Sequence, residues 1–352
     1  MPPTQKELAK LAGVSSGTVS NVISGVAGVS ERSRRKVLDA IKALNYQPNL
    51  IARSLRTNRT YTLGMVIPDI TVPFFPKIIR GAESAARQAG YYLSVLDSES
   101  NQEREAAMMG LLRSQRVEGV LLVTAGGHKW SDEEATSLTA GVPIVCLDRL
   151  PEGLEVDSVC VDDCRASEMA ISHLIGMGHT QIAIITGPLT LQNEQERLRG
   201  YRQAMRKAGL PIPNSLLWKG NFEQNDVARL CQRGLLTPVG RPTALFATNG
   251  VTGLAAIRSI YAMGLTTPKD IACVTFDELT SEDFFRPGIT AVVQPAYDIG
   301  SRAVEVLLNR IGMGTAYKAI EKVRLPATLV VRESSATPLA RVISKKTSPA
   351  RS

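Results

Sequence analysis

The chain lacks the features that mark membrane and exported proteins. Although 44% of its residues are hydrophobic, it contains no run of eighteen apolar residues, the length that a helix needs to cross a bilayer. Its first residues, MPPTQKELAKLAG, hold no apolar segment before a small-residue cleavage site, as a secretory signal would. We therefore expect a cytoplasmic protein.

The chain also has few residues of the types that bind metals. Its five cysteines form no C-x-x-C pair, and its three histidines stand apart from one another. Metal sites and disulfide frameworks need clustered ligands, so we expect buried or unreactive thiols, no metal and no other cofactor. The residues concerned are Cys146, Cys160, Cys164, Cys231, Cys273, His128, His173 and His179.

Acidic residues are scarce at the two ends of the chain. Residues 1–60 contain ten Lys and Arg against three Asp and Glu, a net charge of +7, and the tail from Leu339 carries +4 with no acid. The rest of the chain is near neutral, at −3. A basic head on a near-neutral body is typical of a protein whose head alone contacts nucleic-acid phosphates, although a solvated basic surface would look the same.

The head begins with a predicted helix and a turn. Thr4, with Glu7 three residues later, forms a capping box at the start of a helix that places Leu8 and Leu11 on one face. Gly13 then permits a tight turn.

Two further helices are predicted in the head. One follows Ser15 or Ser16 and has an apolar face of Val19, Val22 and Ile23. The other is capped by Ser30, ends before Pro48 and has an apolar face of Val37, Ile41 and Leu44. Three short helices, the first two joined by a Gly-containing turn, describe a helix-turn-helix domain.

From Tyr61 onward, β-rich apolar runs alternate with amphipathic stretches of helix length, such as residues 76–90 and 102–115. The first series of runs is TLGMVIP, YYLSVLDS, GVLLVT and PIVCLDR, and the second is SVCVDD, QIAIITG, ALFATN and IACVTFD. Strands alternating with helices predict parallel sheets covered on both faces. Two series predict two lobes, with a ligand in the cleft at the carboxyl ends of the strands.

Residues 13–17, GVSSG, also fit G-x-S-x-G, the nucleophile elbow of an α/β-hydrolase, which would make Ser15 a nucleophile. An elbow follows a buried strand, whereas Ser15 follows the helical stretch ELAKLAG in the basic head. A pentapeptide with three fixed positions recurs by chance, so its context decides. We interpret it as part of the helix-turn-helix and expect binding without turnover.

Several segments together carry a family resemblance. In the head they are AGVS (12–15), TVS (18–20), VS (29–30), LNYQPN (44–49) and ARSL (52–55); in the body they are PFF (73–75), MGH (177–179), GY (200–201), FD (276–277) and RES (332–334). On these segments the chain is identified as a member of the lactose-repressor family of bacterial transcription regulators, and its body also resembles periplasmic sugar-binding proteins. The resemblance implies an all-α helix-turn-helix domain followed by a two-lobed α/β domain of the type I periplasmic-binding-protein kind, with parallel doubly wound sheets.

The resemblance also implies how the head contacts DNA. Its second helix is expected in the major groove, where the family's base-reading positions fall on Ser16, Gly17 and Asn21. Contacts to the DNA backbone are expected from Thr4, Ser15, Thr18, Ser20 and Asn49, since hydroxyl and amide groups position a helix without reading much sequence. Gly17 departs from the family because it has no side chain, and Asn21 departs because Arg is common there; Asn suits adenine, whereas Arg suits guanine.

Residues 48–60, PNLIARSLRTNRT, are too basic for a core and too short for a stable helix alone. They are either an inert linker or a hinge that folds on DNA. In the family, two such segments lie against the minor groove, which implies contacts from Ala52, Arg53 and Leu55, with Leu55 entering a central base step. The alternative is that Leu55 only packs against its partner.

For the body, the resemblance places a small-molecule effector between the lobes. Sugar hydroxyls are bound well by carboxylates, amides and guanidinium groups, with an apolar wall against the ring. By position in the family, the candidate effector-binding residues are Phe74, Asp148, Arg149, Arg197, Asn249 and Asp277. Gly250 stands where the family usually has Asp, so the identity of the ligand does not carry over.

These inferences give a domain plan and a function. We expect a helix-turn-helix domain (1–47), a hinge (48–60), an effector-binding and dimerisation domain (61–338) and a disordered basic tail (339–352). The N-lobe is expected at about 61–160 plus 293–319, and the C-lobe at about 161–292 plus 320–338. We predict a homodimeric, allosteric repressor that binds a palindromic operator in double-stranded DNA and responds to a sugar or sugar derivative. The alternatives are a cytoplasmic sugar-binding module without specific DNA reading and an enzyme acting on ribose.

Overall fold

The computed structural model describes residues 3–23, 28–46, 59–126, 141–237, 240–279, 286–313 and 319–336. Contacts divide the chain into two compact units, Met1–Tyr61 and Thr62–Ser352. We refer to them as the head and the body.

The described residues of the head form three helices: α1 (Gln5–Ala12), α2 (Ser16–Ile23) and α3 (Glu31–Ala43). Thr4 and Glu7 form the predicted capping box of α1, and Gly13 ends this helix with φ +64°, a conformation that glycine adopts without strain. The Oγ atoms of Ser15 and Ser30 accept hydrogen bonds from backbone N–H groups in the first turns of α2 and α3. Local polar residues therefore fix where the helices of the head begin.

A small apolar core holds these helices together. Its fully buried members are Leu8, Val19 and Val37, one from each helix. The prediction that Leu11 shares the inner face with Leu8 is wrong, because Leu11 is 55% exposed. α1 turns Leu8, Ala9 and Ala12 inward instead, which leaves Leu11 at the edge of the core.

The N-lobe of the body is built on a parallel sheet of the strands β1 (Thr62–Ile67), β2 (Tyr92–Asp97), β3 (Gly119–Leu122), β4 (Ile144–Leu147), β5 (Asp157–Val161) and β11 (Lys322–Leu325). The six strands lie in the order β11-β5-β4-β3-β1-β2. Helices α4 (Phe74–Gln88), α5 (Gln102–Ser114) and α10 (Ala296–Met313) pack on this sheet.

The C-lobe sheet contains the strands β6 (Ile182–Thr186), β7 (Leu217–Lys219), β8 (Ala244–Ala247), β9 (Ala272–Phe276), β10 (Thr290–Val293) and β12 (Thr328–Val330). They lie in the corresponding order β12-β10-β9-β8-β6-β7, and only β12 runs antiparallel to its neighbour. The helices of this lobe are α6 (Asp163–Gly176), α7 (Gln192–Lys207), α8 (Gln224–Leu235) and α9 (Gly250–Ala262).

One segment lies in a different lobe from the one predicted. The boundary predicted at residue 320 is wrong, because β11 pairs with β5 in the N-lobe sheet, with Val323 beside Val159. β11 is a half-exposed edge strand, and it has no apolar run that would assign it to either sheet. β5 pairs with β4 in the N-lobe, as the predicted bound at about 160 implies, although its run SVCVDD opens the second series of strands. The chain thus crosses between the lobes after β5, after β10 and between β11 and β12.

The backbones of helices α4 and α10 of the N-lobe are in direct contact. A Cβ atom on Gly81 would lie 1.9 Å from the carbonyl oxygen of Tyr297, and one on Gly300 would lie 2.0 Å from that of Ile78. Only glycine fits at these two positions. The two helices therefore form a closely packed pair.

The cysteines and histidines of the body serve its packing. All five cysteines are buried and unpaired. His173 shares a hydrogen bond with Ser335 and His179 shares one with Thr243, whereas His128 lies outside the described residues. In the described part of the chain, no helix is both long and apolar enough to cross a membrane.

Candidate functional site

The second helix of the head presents an exposed polar surface. Ser16, Gly17 and Asn21 are all exposed, and Gly17 and Asn21 lie one helical turn apart. The opposite side of α2 packs into the head's core through Val19 and Val22. The three predicted base-reading positions are therefore accessible to a partner.

The residues that were predicted to contact the DNA backbone and the minor groove differ in what the structure shows of them. Thr4 and Ser15 cap helices and are exposed, and the Oγ1 of Thr18 lies 2.9 Å from the Oγ of Ser15. Ser20 is only 8% exposed, so its inclusion among the phosphate contacts is not supported: its side chain faces the protein. Asn49, Ala52, Arg53 and Leu55 lie outside the described residues.

A cavity of about 530 Å³ lies between the two lobes of the body, and we call it the interlobe cleft. Its walls are formed at the carboxyl ends of parallel strands and the beginnings of helices, as expected for this architecture. All six predicted effector-binding residues line it: Phe74, Asp148, Arg149, Arg197, Asn249 and Asp277. Phe74, Asp148 and Arg149 come from the N-lobe, and the other three come from the C-lobe.

Among the lining residues that were not predicted from the sequence, three bear on the chemistry of the cleft. Phe222 follows β7, a strand of three residues that gives little sequence signal, and Gln294 follows β10. Glu194 lies one turn before Arg197 in α7. Identifying β10 would have revealed Gln294, because a polar residue directly after a strand of such a sheet lies at the edge where ligands bind.

Arg197 is the centre of a buried polar network. It is 2% exposed; its Nε donates to Asp163 Oδ1 at 2.7 Å, and its Nη1 donates to the Thr248 carbonyl oxygen at 2.7 Å. Its guanidinium carbon lies 3.8 Å from the centroid of the Phe276 ring. Glu194 Oε1 lies 3.7 Å from Nη1. The side chain is thus held on every side by the protein.

The same network organises the C-lobe wall of the cleft. Glu194 accepts from the backbone N–H of Gly187 at 2.9 Å, from Asn249 Nδ2 at 3.1 Å and from the Thr248 hydroxyl. Asn249 also caps α9, its Oδ1 accepting from the N–H of Thr252 at 2.8 Å. The C-lobe side chains are therefore positioned before any ligand binds.

The ionisable groups of the cleft are strongly perturbed. Burial raises the pKa of Asp163 to about 7, although Arg197 acts in the opposite direction. Burial also raises the pKa of Asp277, again against the effect of Arg197. Burial by itself would lower the pKa of Arg197, but the surrounding carboxylates, Asp163 first, raise it overall. Arg197 therefore stays protonated, and the surrounding carboxyl groups all interact with its one positive charge.

The N-lobe wall is less complete. Asp148 has φ +56°, directly after β4, and its Oδ1 is buried without a hydrogen-bond partner among the described residues. The same holds for Arg149 Nε on this wall and, on the C-lobe side, for Gln294 Oε1. Arg149 lies between the rings of Phe75 and Phe222, at 5.7 and 5.8 Å, and burial lowers its pKa. Buried polar atoms without partners mark positions where a ligand is needed.

An ion pair at the edge of the cleft joins the lobes. Lys77 Nζ in α4 lies 3.6 Å from Glu278 Oε2, next to Asp277 in the C-lobe. Arg332 Nη2 also donates to Glu278, at 2.9 Å. Both partners of the Lys77 pair are partly exposed, so the pair contributes little to stability by itself.

Known proteins resemble the chain over nearly its whole length. Residues 4–49 match the family described as bacterial regulatory proteins, lacI family. Residues 60–333 match the family described as periplasmic binding proteins and sugar binding domain of LacI family.

Individual relatives agree with these matches. The ribose operon repressor of Escherichia coli (strain K12) is 36% identical over 330 residues, which cover 94% of this chain and 98% of the relative. A Lac repressor dimer bound to operator and the anti-inducer ONPF has a TM-score of 0.81 at 26% identity, covering 96% of this chain and 100% of that one. A complex of the transcriptional regulator CelR with cellobiose has a TM-score of 0.69 at 33% identity, covering 94% and 99%. The chain therefore belongs to the LacI family of DNA-binding bacterial transcription regulators.

Proposed function

We propose that this protein is a homodimeric repressor that binds a near-palindromic operator through α2 and is controlled by a sugar-like effector in the interlobe cleft. The observation that carries this proposal is the combination of an exposed polar face on α2 with a separate cleft whose buried polar atoms lack partners. A two-fold symmetric dimer reads two half-sites, which explains the expected palindrome. Binding to chromosomal DNA would place the protein in the cytoplasm.

On the DNA side, we assign base reading to Ser16, Gly17 and Asn21. Asn21 is suited to a bidentate contact with adenine N6 and N7. Thr4, Ser15 and Thr18 are assigned to phosphates, together with Asn49. The hinge contacts of Ala52, Arg53 and Leu55, with Leu55 in the central base step, remain part of the proposal.

On the effector side, we assign the cleft to a polyhydroxylated ligand. Asp148, Arg149 and Asp277 offer the charged acceptors and donors that vicinal hydroxyl groups satisfy, and Phe74 and Phe222 offer apolar walls for a ring. The names of two relatives, a ribose operon repressor and a regulator in complex with cellobiose, support a sugar. Because the charged groups of the C-lobe wall are already engaged with each other, we propose binding without turnover.

Selection from a library of random duplex DNA, repeated with sugars, sugar acids and purines added, tests both halves of the proposal. We expect an enriched palindrome with a pyrimidine-purine step at its centre, and a sugar that changes its recovery. If a sugar bound but no sequence were enriched under any condition, the protein would be a sugar-binding module without specific DNA reading.

Two substitutions then locate the DNA contacts. Asn21→Ala should relax preference at one operator position at a cost of about 1–3 kcal/mol, whereas Arg53→Ala should weaken binding to all sequences and reduce the salt dependence. Titrations of labelled operator and of single-base variants at several salt concentrations measure both effects. Uniform loss of affinity in both variants would contradict the major-groove assignment of α2.

A further inference from the structure

A second cavity lies between the two lobes of the body, and it has a volume of about 620 Å³. Its N-lobe wall consists of residues 150–156, in the loop between β4 and β5, together with Ser158 in β5. Its C-lobe wall consists of residues 189–192, at the start of α7, together with Gln195. None of these residues lines the interlobe cleft, so the two spaces have separate walls. Small-molecule sites have volumes of about 300–1,000 Å³, and the second cavity falls in this range.

The lobes are in contact beside the second cavity. Gly126 of the N-lobe lines the cavity, and a Cβ atom on it would lie 1.9 Å from Leu191 Cδ2 in the C-lobe. Its φ of +81° also favours glycine, and the side chain of Gln102 donates to its carbonyl oxygen. The start of α7 therefore packs directly on the N-lobe, and a ligand in the second cavity would contact both lobes.

Ser158 carries an unsatisfied hydroxyl group in the N-lobe wall. The residue is 1% exposed, and its Oγ has no hydrogen-bond partner among the described residues. Its backbone N–H, by contrast, donates to the Glu321 carbonyl oxygen at 2.9 Å. A buried hydroxyl group that stays unbonded costs about 1–3 kcal/mol, so such a group in the wall of a cavity marks a place where a ligand is needed.

The C-lobe wall adds further donors and acceptors. α7 begins at Gln192 without a side-chain cap from Leu191, so the cap residue bonds none of the N–H groups in the first turn of the helix. Gln195 Nε2 donates to the Leu189 carbonyl oxygen at 2.7 Å, which holds this amide in place and leaves its Oε1 as an acceptor. The wall therefore offers hydrogen-bonding groups of both kinds.

The charged groups of the second cavity are exposed, and its remaining walls are apolar. Lys322 Nζ lies 3.0 Å from Glu155 Oε2, and both side chains are more than half exposed, as is typical of a rim. Glu152 is also exposed. Leu150 and Leu154 add apolar surface. Uncharged donors and acceptors beside an apolar wall suit hydroxyl groups on a carbon skeleton, because each hydroxyl both donates and accepts.

We infer that the second cavity is a ligand site of its own and that it takes a polyhydroxyl compound, a sugar or a polyol, in addition to the effector in the interlobe cleft. This inference goes beyond the proposed function, because it adds a second molecule per protomer and does not depend on which compound the cleft binds. Since both lobes line the second cavity, its ligand would also favour the arrangement of the lobes that it contacts best.

Calorimetric titration of the full-length protein counts the sites. D-ribose, D-glucose and cellobiose are titrated one at a time, and then each is titrated into protein that is saturated with one of the others. We expect two molecules per protomer, either of one sugar or of two different ones. One molecule per protomer in every combination would overturn the inference and leave the interlobe cleft as the effector site. If no sugar bound, the inference and the effector half of the proposed function would both fail, whereas operator selection would be unaffected.

Ser158→Ala then locates the second molecule. Loss of one hydrogen bond to the ligand should weaken one of the two sites by about 3- to 10-fold and leave the other unchanged. Ser167→Ala is the matched control, because Ser167 is also a fully buried serine whose Oγ lacks a partner in the described part of the chain, but it lines neither cavity. Both affinities should stay unchanged in this control. Equal weakening in the two serine variants would contradict a contact between Ser158 and the ligand.

Thr190→Trp blocks the second cavity without a change in the core. Thr190 lines the cavity and is exposed, so a larger side chain there occupies space that the ligand needs. We expect one molecule per protomer in this variant, bound with the affinity of the cleft in the unaltered protein. Two molecules per protomer, with both affinities unchanged in Thr190→Trp and in Ser158→Ala, would overturn the assignment of the second site to this cavity.

Discussion

The two lobes have sheets of corresponding strand order but contribute differently to the cleft between them. On the C-lobe side, Arg197, Glu194 and Asn249 are bonded to one another and to the backbone. On the N-lobe side, Asp148 and Arg149 each retain a buried polar atom without a hydrogen-bond partner in the described part of the chain. The C-lobe wall is therefore held mainly by its own hydrogen bonds, although Gln294 Oε1 has no partner there, whereas the charged groups of the N-lobe wall keep polar atoms that a ligand can bond.

This difference suggests an order of events on binding. A ligand meets a C-lobe surface whose side chains are already fixed, and then satisfies the open positions on the N-lobe. An unsatisfied buried polar atom costs about 1–3 kcal/mol, so filling such positions favours the arrangement in which both lobes contact the ligand. A free-energy difference of this size matches the coupling that is typical between two sites in allosteric regulation. That coupling is about 1–3 kcal/mol, a change in affinity on the order of 5- to 150-fold.

The largest effect is expected from Arg197→Met. Removing this cation leaves Asp163 buried without its main partner and takes away the positive charge beside Glu194, which should lower the free energy of unfolding by about 3–5 kcal/mol and abolish effector binding. Denaturant unfolding and calorimetry measure the two effects. Arg199→Met, an exposed position two residues away that pairs with Glu196, is the control and should change stability by less than about 0.5 kcal/mol. Equal losses in the two variants would contradict the central role of Arg197.

Arg149→Met tests the other wall. Because Arg149 is not part of the C-lobe network and lies between two phenyl rings, the substitution should change the free energy of unfolding by less than about 1 kcal/mol. Effector affinity should nevertheless fall by about 10- to 100-fold, because a charged donor to the ligand is lost. Denaturant unfolding and calorimetry, made on both arginine variants, distinguish the role of the C-lobe wall from that of the N-lobe wall. A stability loss as large as that of Arg197→Met would remove the distinction between the two walls.

Asp163 should make stability depend on pH. Its pKa of about 7 in the folded protein lies above the ordinary value of 3.8, so the folded state binds the proton more tightly than the unfolded state does. The stabilising contribution is present in full below about pH 4 and is lost as the pH rises towards 7. We expect the denaturant midpoint of unfolding to fall between about pH 4 and pH 7, and to fall less in Asp163→Asn. Asp277, whose pKa is also raised, retains part of the slope. Equal slopes in both proteins would exclude Asp163 as the source.

The smallest effect is expected at the edge of the cleft. Lys77 and Glu278 are partly exposed, and Glu278 also pairs with Arg332, so their coupling should be about 0.2–1 kcal/mol. A double-mutant cycle with Lys77→Met and Glu278→Gln, read out by effector affinity, measures it. A coupling above about 2 kcal/mol would show that this pair, rather than the buried network, holds the lobes together.

The sequence predicted the features that depend on local chemistry. Thr4 and Ser30 were identified as helix caps from their neighbours. Asp148 and Asp277 were identified by their positions in the family, which agree with the ends of strands where ligands bind. Long-range pairing was not predictable: nothing in the letters of β11 indicates which parallel sheet it joins. Phe222 was missed because the strand before it has only three residues.

For residues 16–23, which form α2, the sequence likewise predicted the local structure but not the packing. Their pattern predicted a helix with an inner apolar face, and Ser16, Gly17 and Asn21 are exposed as a reading surface requires. The burial of Ser20 depends on how α2 packs against its neighbours, which a polar residue type does not reveal.

The order of the strands along the chain also determines when each part of the protein can be completed during synthesis. The head is a compact unit that precedes the body along the chain, so it can fold on the ribosome before the body is synthesised. The N-lobe sheet receives its edge strand, β11, at Lys322–Leu325, and the C-lobe sheet receives β12 at Thr328–Val330. Neither sheet is complete until these two strands have been synthesised. A nascent chain therefore acquires its DNA-binding head well before it acquires the cleft that regulates it.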